Sequence, residues 1–403
     1  MRFYLIFTIV FMFMLLVVLL QIRRQAGLSR RRFALTLLGG LTLSLFLAST
    51  RLMPESWPMA VARPAWWIGY GVFGLVAYMF LFQVMLLTAE TGARLALPRQ
   101  APVLRSRRAM LAVTAMAVAT VTWGVRETAN LRVLSRRMVS PKLLRPVRVA
   151  VVTDLHLGAL TIPSRLRELV ALVRAQRPDV VVLVGDMVND HPDALEPYAA
   201  ILRDMRPPMG MYGVFGNHER YEGDAKSARV FQWIGAELLR NRTAVLPGTG
   251  VQLLGIDDPG RSGAVLEDIV REIRSVAGDS DPNMFRILLN HRPAAWREAA
   301  QPLGIELMLS GHTHRGQLYP FYLVVRLFNE FMGGFYEENG HVLGVSAGAG
   351  FWGPPLRVLA PPDILVLDLL PSAAQAPDQT GGQAGGQTGN QAGDQAGNQA
   401  GGQ

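Results

Sequence analysis

Five short words in the second half of the chain gather side chains that can do chemistry. They are Asp154 and His156 in TDLHLG, Asp186 in VGDMVND, Asn217 and His218 in GNHE, His291 in LLNHRP, and His312 and His314 in SGHTHRGQ. Imidazole and carboxylate together select Mn2+, Fe2+ or Zn2+ over Ca2+ or Mg2+ alone. The chain has no cysteine, which excludes disulfides and thiolate zinc sites. A carboxylate can bridge two cations with one oxygen facing each. A neutral Asn carbonyl leaves net positive charge on the pair, which attracts phosphate and acidifies a water held between them. The residue types therefore predict two divalent ions ~3.5 to 4 Å apart and a bridging hydroxide as nucleophile. Taken singly, each histidine is more readily a hydrogen-bonded or surface residue, and each Asp or Asn a turn or helix cap. Five of the seven histidines fall in these words, leaving only His191 and His341 outside, and that concurrence favours a shared site.

Each word follows an apolar run, and this tells which elements must position it. From Arg148 short apolar runs alternate with amphipathic stretches: Val149 to Val152, a helix around Ser164 to Ala175, Val180 to Val184, a helix around Ala194 to Met205, and Met211 to Phe215. Further strands are expected at Val251 to Ile256, Ile287 to Leu289, Leu307 to Leu309, Val342 to Val345 and Ile364 to Leu367. The alternation predicts a layered α/β fold. In such a fold the loops leaving the carboxyl ends of the strands meet along one edge, so residues far apart in sequence can converge. Phe351 and Trp352 are expected to pack in the interior rather than to form an apolar lip.

The first part of the chain has another character. Four apolar runs, Phe3 to Gln21, Phe33 to Thr50, Trp66 to Thr88 and Ala109 to Val125, approach the ~20 residues a helix needs to cross a bilayer. Arginine clusters bracket them, and the first reads as a retained anchor rather than a cleaved signal. Residues 1–149 carry 20 Lys and Arg against 3 Asp and Glu, while residues 150–370 carry 20 against 26. The basic balance thus belongs to the membrane part, and the acidic balance of the rest argues against a nucleic-acid partner. Arginine-rich loops after the first and third runs place those loops in the cytoplasm and the α/β part outside, with Arg126, Arg132, Arg136, Arg137 and Lys142 as opposing charges. The last residues repeat Gly, Gln and Ala with little to bury, which predicts disorder. The expected division is a transmembrane region of about four helices over 1–126, a linker over 127–146, a catalytic domain over 147–370 and a tail over 371–403.

The ordered words DxH, GD, GNHE, H and GHTH resemble the calcineurin-like metallophosphoesterase family, and the N-terminal anchor resembles its membrane-bound bacterial branch. The resemblance covers Val147 to Leu370 and implies a β-sandwich flanked by helices. It implies that Asp154, His156 and His314 bind one metal, that Asn217, His291 and His312 bind a second, and that Asp186 bridges them. His218 then donates a proton to the leaving oxygen, which departs poorly unless protonated. In two places the pattern departs. Asn189, followed by Asp190, stands where the family often has a carboxylate that orients the catalytic His, and Arg315 follows His314 where the close branch often has Gly. Arg315 is read either as a bidentate phosphate contact or as a solvated surface residue. The implied activity is hydrolysis of phosphomono- or diesters, plausibly lipid-linked or envelope phosphates, at a bacterial inner membrane. A tethered hydrolase of soluble nucleotides or sugar nucleotides, or a non-catalytic membrane scaffold or sensor, is the alternative.

Overall fold

The computed structural model describes residues 2–27, 29–49, 59–96, 106–189, 192–260 and 266–372. Four helices come first: α1 (Arg2–Ala26), α2 (Arg30–Ser49), α3 (Met59–Ala96) and α4 (Arg107–Glu127). Among the described residues three of them are long and apolar enough to cross a membrane, over Thr8–Gln25, Arg63–Ala96 and Arg107–Glu127. The second expected run forms α2, although Thr50 and the side chains of residues 43–49 lie outside the described residues. Hydroxyls in these helices are satisfied internally, as lipid requires: Thr88 and Thr91 donate to the carbonyls of Val84 and Leu87, and Thr114 and Thr120 to those of Met110 and Met116.

α1 runs alongside α3 in the same direction, with Phe11 against Phe73 and Phe13 against Phe80. Between α3 and α4, Gly74 faces Val121. Arg107 of α4 reaches the Gln25 carbonyl of α1. Arg23, Arg24, Arg94, Arg107 and Arg108 therefore gather at one end of the bundle, and the α/β part sits at the other. There Arg63 donates to the Ala159 carbonyl and the Tyr198 hydroxyl, and the Arg357 amide donates to the Gly124 carbonyl.

The α/β part contains β1 (Arg132–Ser140), β2 (Val147–Val152), α5 (Pro163–Ala175), β3 (Val180–Val184), α6 (Glu196–Arg203), β4 (Met211–Val214), α7 (Asn217–Glu222), α8 (Asp224–Ile234), β5 (Ala236–Leu238), β6 (Arg242–Leu246), β7 (Val251–Gly255), α9 (Leu266–Gly278), β8 (Phe285–Leu289), β9 (Leu307–Ser310), α10 (Phe321–Arg326), β10 (Gly334–Glu338), β11 (His341–Val345) and β12 (Asp363–Pro371). They form two six-stranded sheets, β1-β12-β2-β3-β4-β5 and β10-β11-β9-β8-β7-β6.

Period-two alternation decides which face each side chain takes. In β3, Val180, Val182 and Val184 enter the core between the sheets, while Val181 and Leu183 face the helices. Opposite them Phe285, Ile287 and Leu289 of β8 fill the same inter-sheet core, and Leu288 turns outward toward α9. Both faces are covered, so these strands read as continuous apolar runs. α5 starts with Pro163 in its first turn and buries Leu166, Leu169, Val170 and Val173 on one stripe, the spacing of an amphipathic helix.

One expectation fails here. The stretch 127–146 is not a linker, because its residues 132–140 form β1, which pairs in parallel with β12 along its whole length. Its sequence RVLSRRMVS hides the strand because its burial alternates between exposed and half-buried, leaving the apolar signal weak. Pro371, expected to begin the tail, is the last residue of β12. The rest of the tail lies outside the described residues.

Candidate dinuclear metal site

β2, β3 and β4 are mutually parallel in one sheet, and β8 and β9 are parallel in the other. The five words follow the carboxyl ends of these five strands: Asp154 and His156 after β2, Asp186 after β3, Asn217 and His218 after β4, His291 after β8, and His312 and His314 after β9. The expected convergence is what the structure has. All eight residues lie at one edge, nearly all of them buried.

The chain turns sharply as it leaves the strands. Asp154, His156, Asp186, His312 and His314 all have positive φ, between 47° and 71°. Left-handed backbone costs an L-residue about 1–2 kcal/mol, and such strain gathers at functional sites where the surroundings enforce it. Here the loops hold one another, with the Asp154 amide on the Gly185 carbonyl, that of His156 on Asp186, and that of Gly311 on His291. The glycines before the ligands are needed for close approach. A Cβ at Gly216 would lie 2.2 Å from Asp186 Oδ1, and one at Gly311 would lie 2.1 Å from Asp154 Oδ2. Gly311→Ala should therefore displace Asp154 and lower bound metal to one ion or fewer, a loss of more than about tenfold in affinity. Metal analysis of the purified variant checks this, and full occupancy would contradict it.

Two groups of ligand atoms result. In the first, Nε2 of His156 and Nε2 of His314 are 2.8 Å apart, and Asp154 Oδ1 lies 3.9 Å and 3.4 Å from them respectively. In the second, Asp186 Oδ2 lies 3.2 Å from His291 Nε2, and His312 completes the set. Asp186 Oδ2 is also 3.8 Å from His156 Nε2, which places this carboxylate between the groups. Ligands ~2.1 Å from one cation stand ~3.0 to 3.4 Å from each other, so the spacings fit. Asn217 Oδ1 is buried without a hydrogen-bond partner among the described residues, and His291 Nε2 faces Asp186 Oδ2. Buried polar atoms normally have partners, and a cation would supply one here.

Electrostatics agree. Burial, and then the charge of His218, hold His156 neutral well below its usual range, and burial with His156 does the same to His314. His312 is pushed down to about 3 by burial, His291 and Arg292. Neutral imidazole is the form that binds metal. Burial opposes ionisation of Asp186, but the neighbouring His291 and His218 outweigh it and hold the carboxyl well below the ordinary range. His291 is drawn the other way, toward holding a proton. Burial works against that proton, but Asp186 draws the pKa up to about 10. Burial raises Asp154 to about 7, with Asp186 adding to the shift and His291 opposing it. A cation must displace these protons. Apparent metal affinity should fall about tenfold per pH unit from pH 10 to 7 as His291 holds its proton, and faster below 7 as Asp154 joins it. Calorimetry at pH 8 in buffers of different ionisation enthalpy should read about one proton released from His291 per metal pair, beside any released by the water that the pair acidifies, and none released would refute the His291 assignment.

Sequence reasoning missed two residues. Glu219, the last letter of GNHE, is fully buried. It accepts from the amides of Asp186, Val188 and Gly216 at 2.9, 2.9 and 2.7 Å and so ties Asp186 to the GN turn. Its position in the word was visible, but its role needs the fold. Arg357, also fully buried, reaches the carbonyls of Ala347, Gly348 and Ala360 and lies 3.2 Å from His314 Nδ1. No local pattern in PPLRVLA marks it.

Asn189 donates its amide to the Leu157 carbonyl, while Asp190 and His191 lie outside the described residues. His341 turns away, its Nδ1 2.7 Å from the Ile305 carbonyl. Arg315 is exposed. Trp352 is not interior as expected: it is 37% exposed, with its ring 6.0 Å from that of His218. The glycines and prolines around it hold it on a loop rather than on a strand that could turn it inward.

The family model described as calcineurin-like phosphoesterase matches residues 147–316. An uncharacterized metallophosphoesterase of Helicobacter pylori is 32% identical over 231 residues, 57% of this chain and 61% of that one. One from Aquifex aeolicus is 33% identical over 250 residues, 60% of this chain and 93% of that one. A transmembrane protein with metallophosphoesterase domain from Danio rerio is 32% identical over 240 residues, 56% and 53% of the two chains. The chain thus spans about three fifths of the Helicobacter relative and about half of the Danio one. With nearly the whole Aquifex protein covered, and with the five words of the motif meeting at one edge of two sheets, this chain belongs to the calcineurin-like phosphoesterase family.

Proposed function

We propose that this chain is a membrane-anchored phosphoesterase that hydrolyses phosphomono- or diesters with a pair of divalent cations, Mn2+, Fe2+ or Zn2+. The observation that carries the reading is the set of five strained ligand residues, Asp154, His156, Asp186, His312 and His314, four of them buried, which form two groups with Asp186 between them. Asp154, His156 and His314 would hold one cation, Asn217, His291 and His312 the other, and Asp186 would serve both. When bound, the pair supplies charge to the phosphoryl oxygens and acidifies a water.

The remaining steps belong to the chain's own residues. His218 follows Asn217 directly, and its amide donates to Asp186 Oδ1 at 2.9 Å, which fixes its backbone beside that carboxylate, while its ring lies 4.6 Å from that of His156. From there it would donate a proton to the leaving oxygen. Trp352 and Tyr221 flank the His218 ring and would bound the leaving-group side. All seven ligand residues are present, which weighs against a non-catalytic scaffold.

The arginine-rich end of the bundle, opposite the α/β part, supports a cytoplasmic location for that end and an extracytoplasmic one for the site. Anchoring concentrates membrane substrates near it, which favours lipid-linked or envelope phosphates over free nucleotides. The test is hydrolysis of p-nitrophenyl phosphate and bis(p-nitrophenyl) phosphate by the detergent-purified full chain. Turnover that EDTA abolishes and Mn2+ restores supports the proposal. A folded chain with two metals bound and no turnover of either ester would overturn it.

A further inference from the structure

The segment that follows the metal-binding turn is apolar, and nothing among the described residues covers it. From Phe321 to Phe328 the sequence reads FYLVVRLF, with Arg326 its only charge, and α10 within it buries none of its residues. Phe321, Leu323 and Val324 are exposed, and Leu327 and Phe328 stand 79% and 82% open. Tyr319 and Leu359 extend the patch, joined through the bond from the Tyr319 amide to the Val358 carbonyl. A contiguous apolar surface of this kind marks an interaction site.

Its position identifies what covers it. Leu318 and Val358, at the base of the patch, pack with Val18, Tyr78, Met79 and Ala117 of the helical bundle. The Tyr78 hydroxyl donates to the Tyr319 carbonyl at 2.9 Å. Gly74 of α3 and Gly124 of α4 both lie against Leu356. From Arg94, at the arginine-rich end of α3, to Gly74 is roughly 30 Å at 1.5 Å per residue, about the thickness of a bilayer's hydrocarbon core. Ala117 of α4, which packs at the base of the patch, is ten residues or roughly 15 Å from Arg107, so the patch stands alongside the lipid-crossing part of these helices, on the side nearer the α/β part.

We propose that Tyr319–Phe328 is an interfacial membrane segment. Its apolar side chains enter the outer region of the leaflet nearest the metal site, and Arg326 reaches back to the lipid phosphates, as long cationic side chains do at such boundaries. Aromatic residues at both ends, Tyr319 and Phe321 against Phe328, suit this depth.

The segment is tied to the site. Gly316, at φ 69° in the turn that carries His314, has the Tyr322 backbone so close that a Cβ there would lie 2.4 Å from Tyr322 Cα. Seating α10 in the leaflet thus fixes the height of the His314 turn above the membrane. Resting on the phosphoesterase reading above, this makes the substrate class a phosphate ester borne on a lipid head group.

Because the chain has no cysteine, single cysteines at Phe328 and, as a control, at exposed Val245 can carry an environment-sensitive fluorophore. The full chain is reconstituted into vesicles of phosphatidylethanolamine and phosphatidylglycerol. The Phe328→Cys label should be blue-shifted, quenched at least about twofold by doxyl-labelled lipids, and several-fold less open to iodide than the Val245→Cys label. A Phe328 label as open to iodide as the control overturns the proposal. So does one shielded from both quenchers, since a protein surface such as a second copy would then cover the patch.

A kinetic arm tests the substrate class. Leu327→Ser with Phe328→Ser should raise KM for a vesicle-borne phosphate ester about fivefold or more while leaving turnover of a soluble aryl phosphate unchanged. Equal behaviour toward both substrates overturns the substrate assignment. Fluorescence needs no turnover, so an inactive protein would sink the phosphoesterase reading while the quenching still decides where α10 lies.

Discussion

Asp186→Asn is expected to lower phosphoester turnover about a thousandfold, or roughly 4 kcal/mol of barrier, while leaving the chain folded. Asn keeps the size of the side chain and an oxygen able to accept from the His218 amide, which lies 2.9 Å from Asp186 Oδ1. What it removes is the charge between the two ligand groups, 3.2 Å from His291 Nε2 and 3.8 Å from His156 Nε2. Two divalent cations ~4 Å apart repel strongly, and the shared carboxylate offsets that repulsion. The variant should therefore retain one tightly held metal at most. Steady-state kinetics beside metal analysis decides the matter, and wild-type turnover with two metals would remove Asp186 from the bridging position.

The second large effect concerns stability. Glu219→Ala leaves three buried amides, those of Asp186, Val188 and Gly216, without their acceptor. Each orphaned donor costs about 1–3 kcal/mol, so with water entering part of the space a net loss of about 4 kcal/mol is expected. At ~3 °C per kcal/mol for a domain of this size, the melting temperature should fall by roughly 12 °C. Glu219→Gln should lose less, because its carbonyl oxygen can serve the Asp186 and Gly216 amides while its NH2 faces only the Val188 amide. Thermal melts of the two variants check the order, and equal losses would mean that the hydrogen bonds are not the source. Activity should fall with stability in both, since the Glu219 carboxylate sets the backbone position of Asp186.

The eight site residues were legible because each motif word follows a strand that is buried on both faces and therefore apolar throughout. β2, β3, β8 and β9 announce themselves in this way, and parallel pairing then brings their ends together. Elements that cover or edge the sheets were harder to see. β1, β6 and β10 are partly exposed along their length, so their side chains have no uniform apolar demand, and β5 is three residues long. β1 was further disguised by Arg132, Arg136 and Arg137, which read as membrane-flanking charge. Glu219 and Arg357 act on backbone groups distant in sequence, and neither one's own neighbours predict those partners. Trp352 was misjudged for a related reason, since a large aromatic side chain is usually interior but a loop rich in glycine and proline holds this one at the rim of the site.

The strand order of the first sheet constrains how the molecule is made. β12, the last strand among the described residues, lies between β1 and β2, which leave the ribosome long before it. Until Asp363–Pro371 is synthesised, both neighbours present open hydrogen-bonding edges, and such edges invite pairing with other chains. By then α4 has already tethered β1 to the bilayer, through a connection of only a few residues. The nascent domain therefore waits at the membrane surface with its sheet divided, and β12 joins the anchored edge to the strands that carry the candidate site. Synthesis of Asp363–Pro371, rather than of any local helix or hairpin, is the event that closes this half of the sandwich.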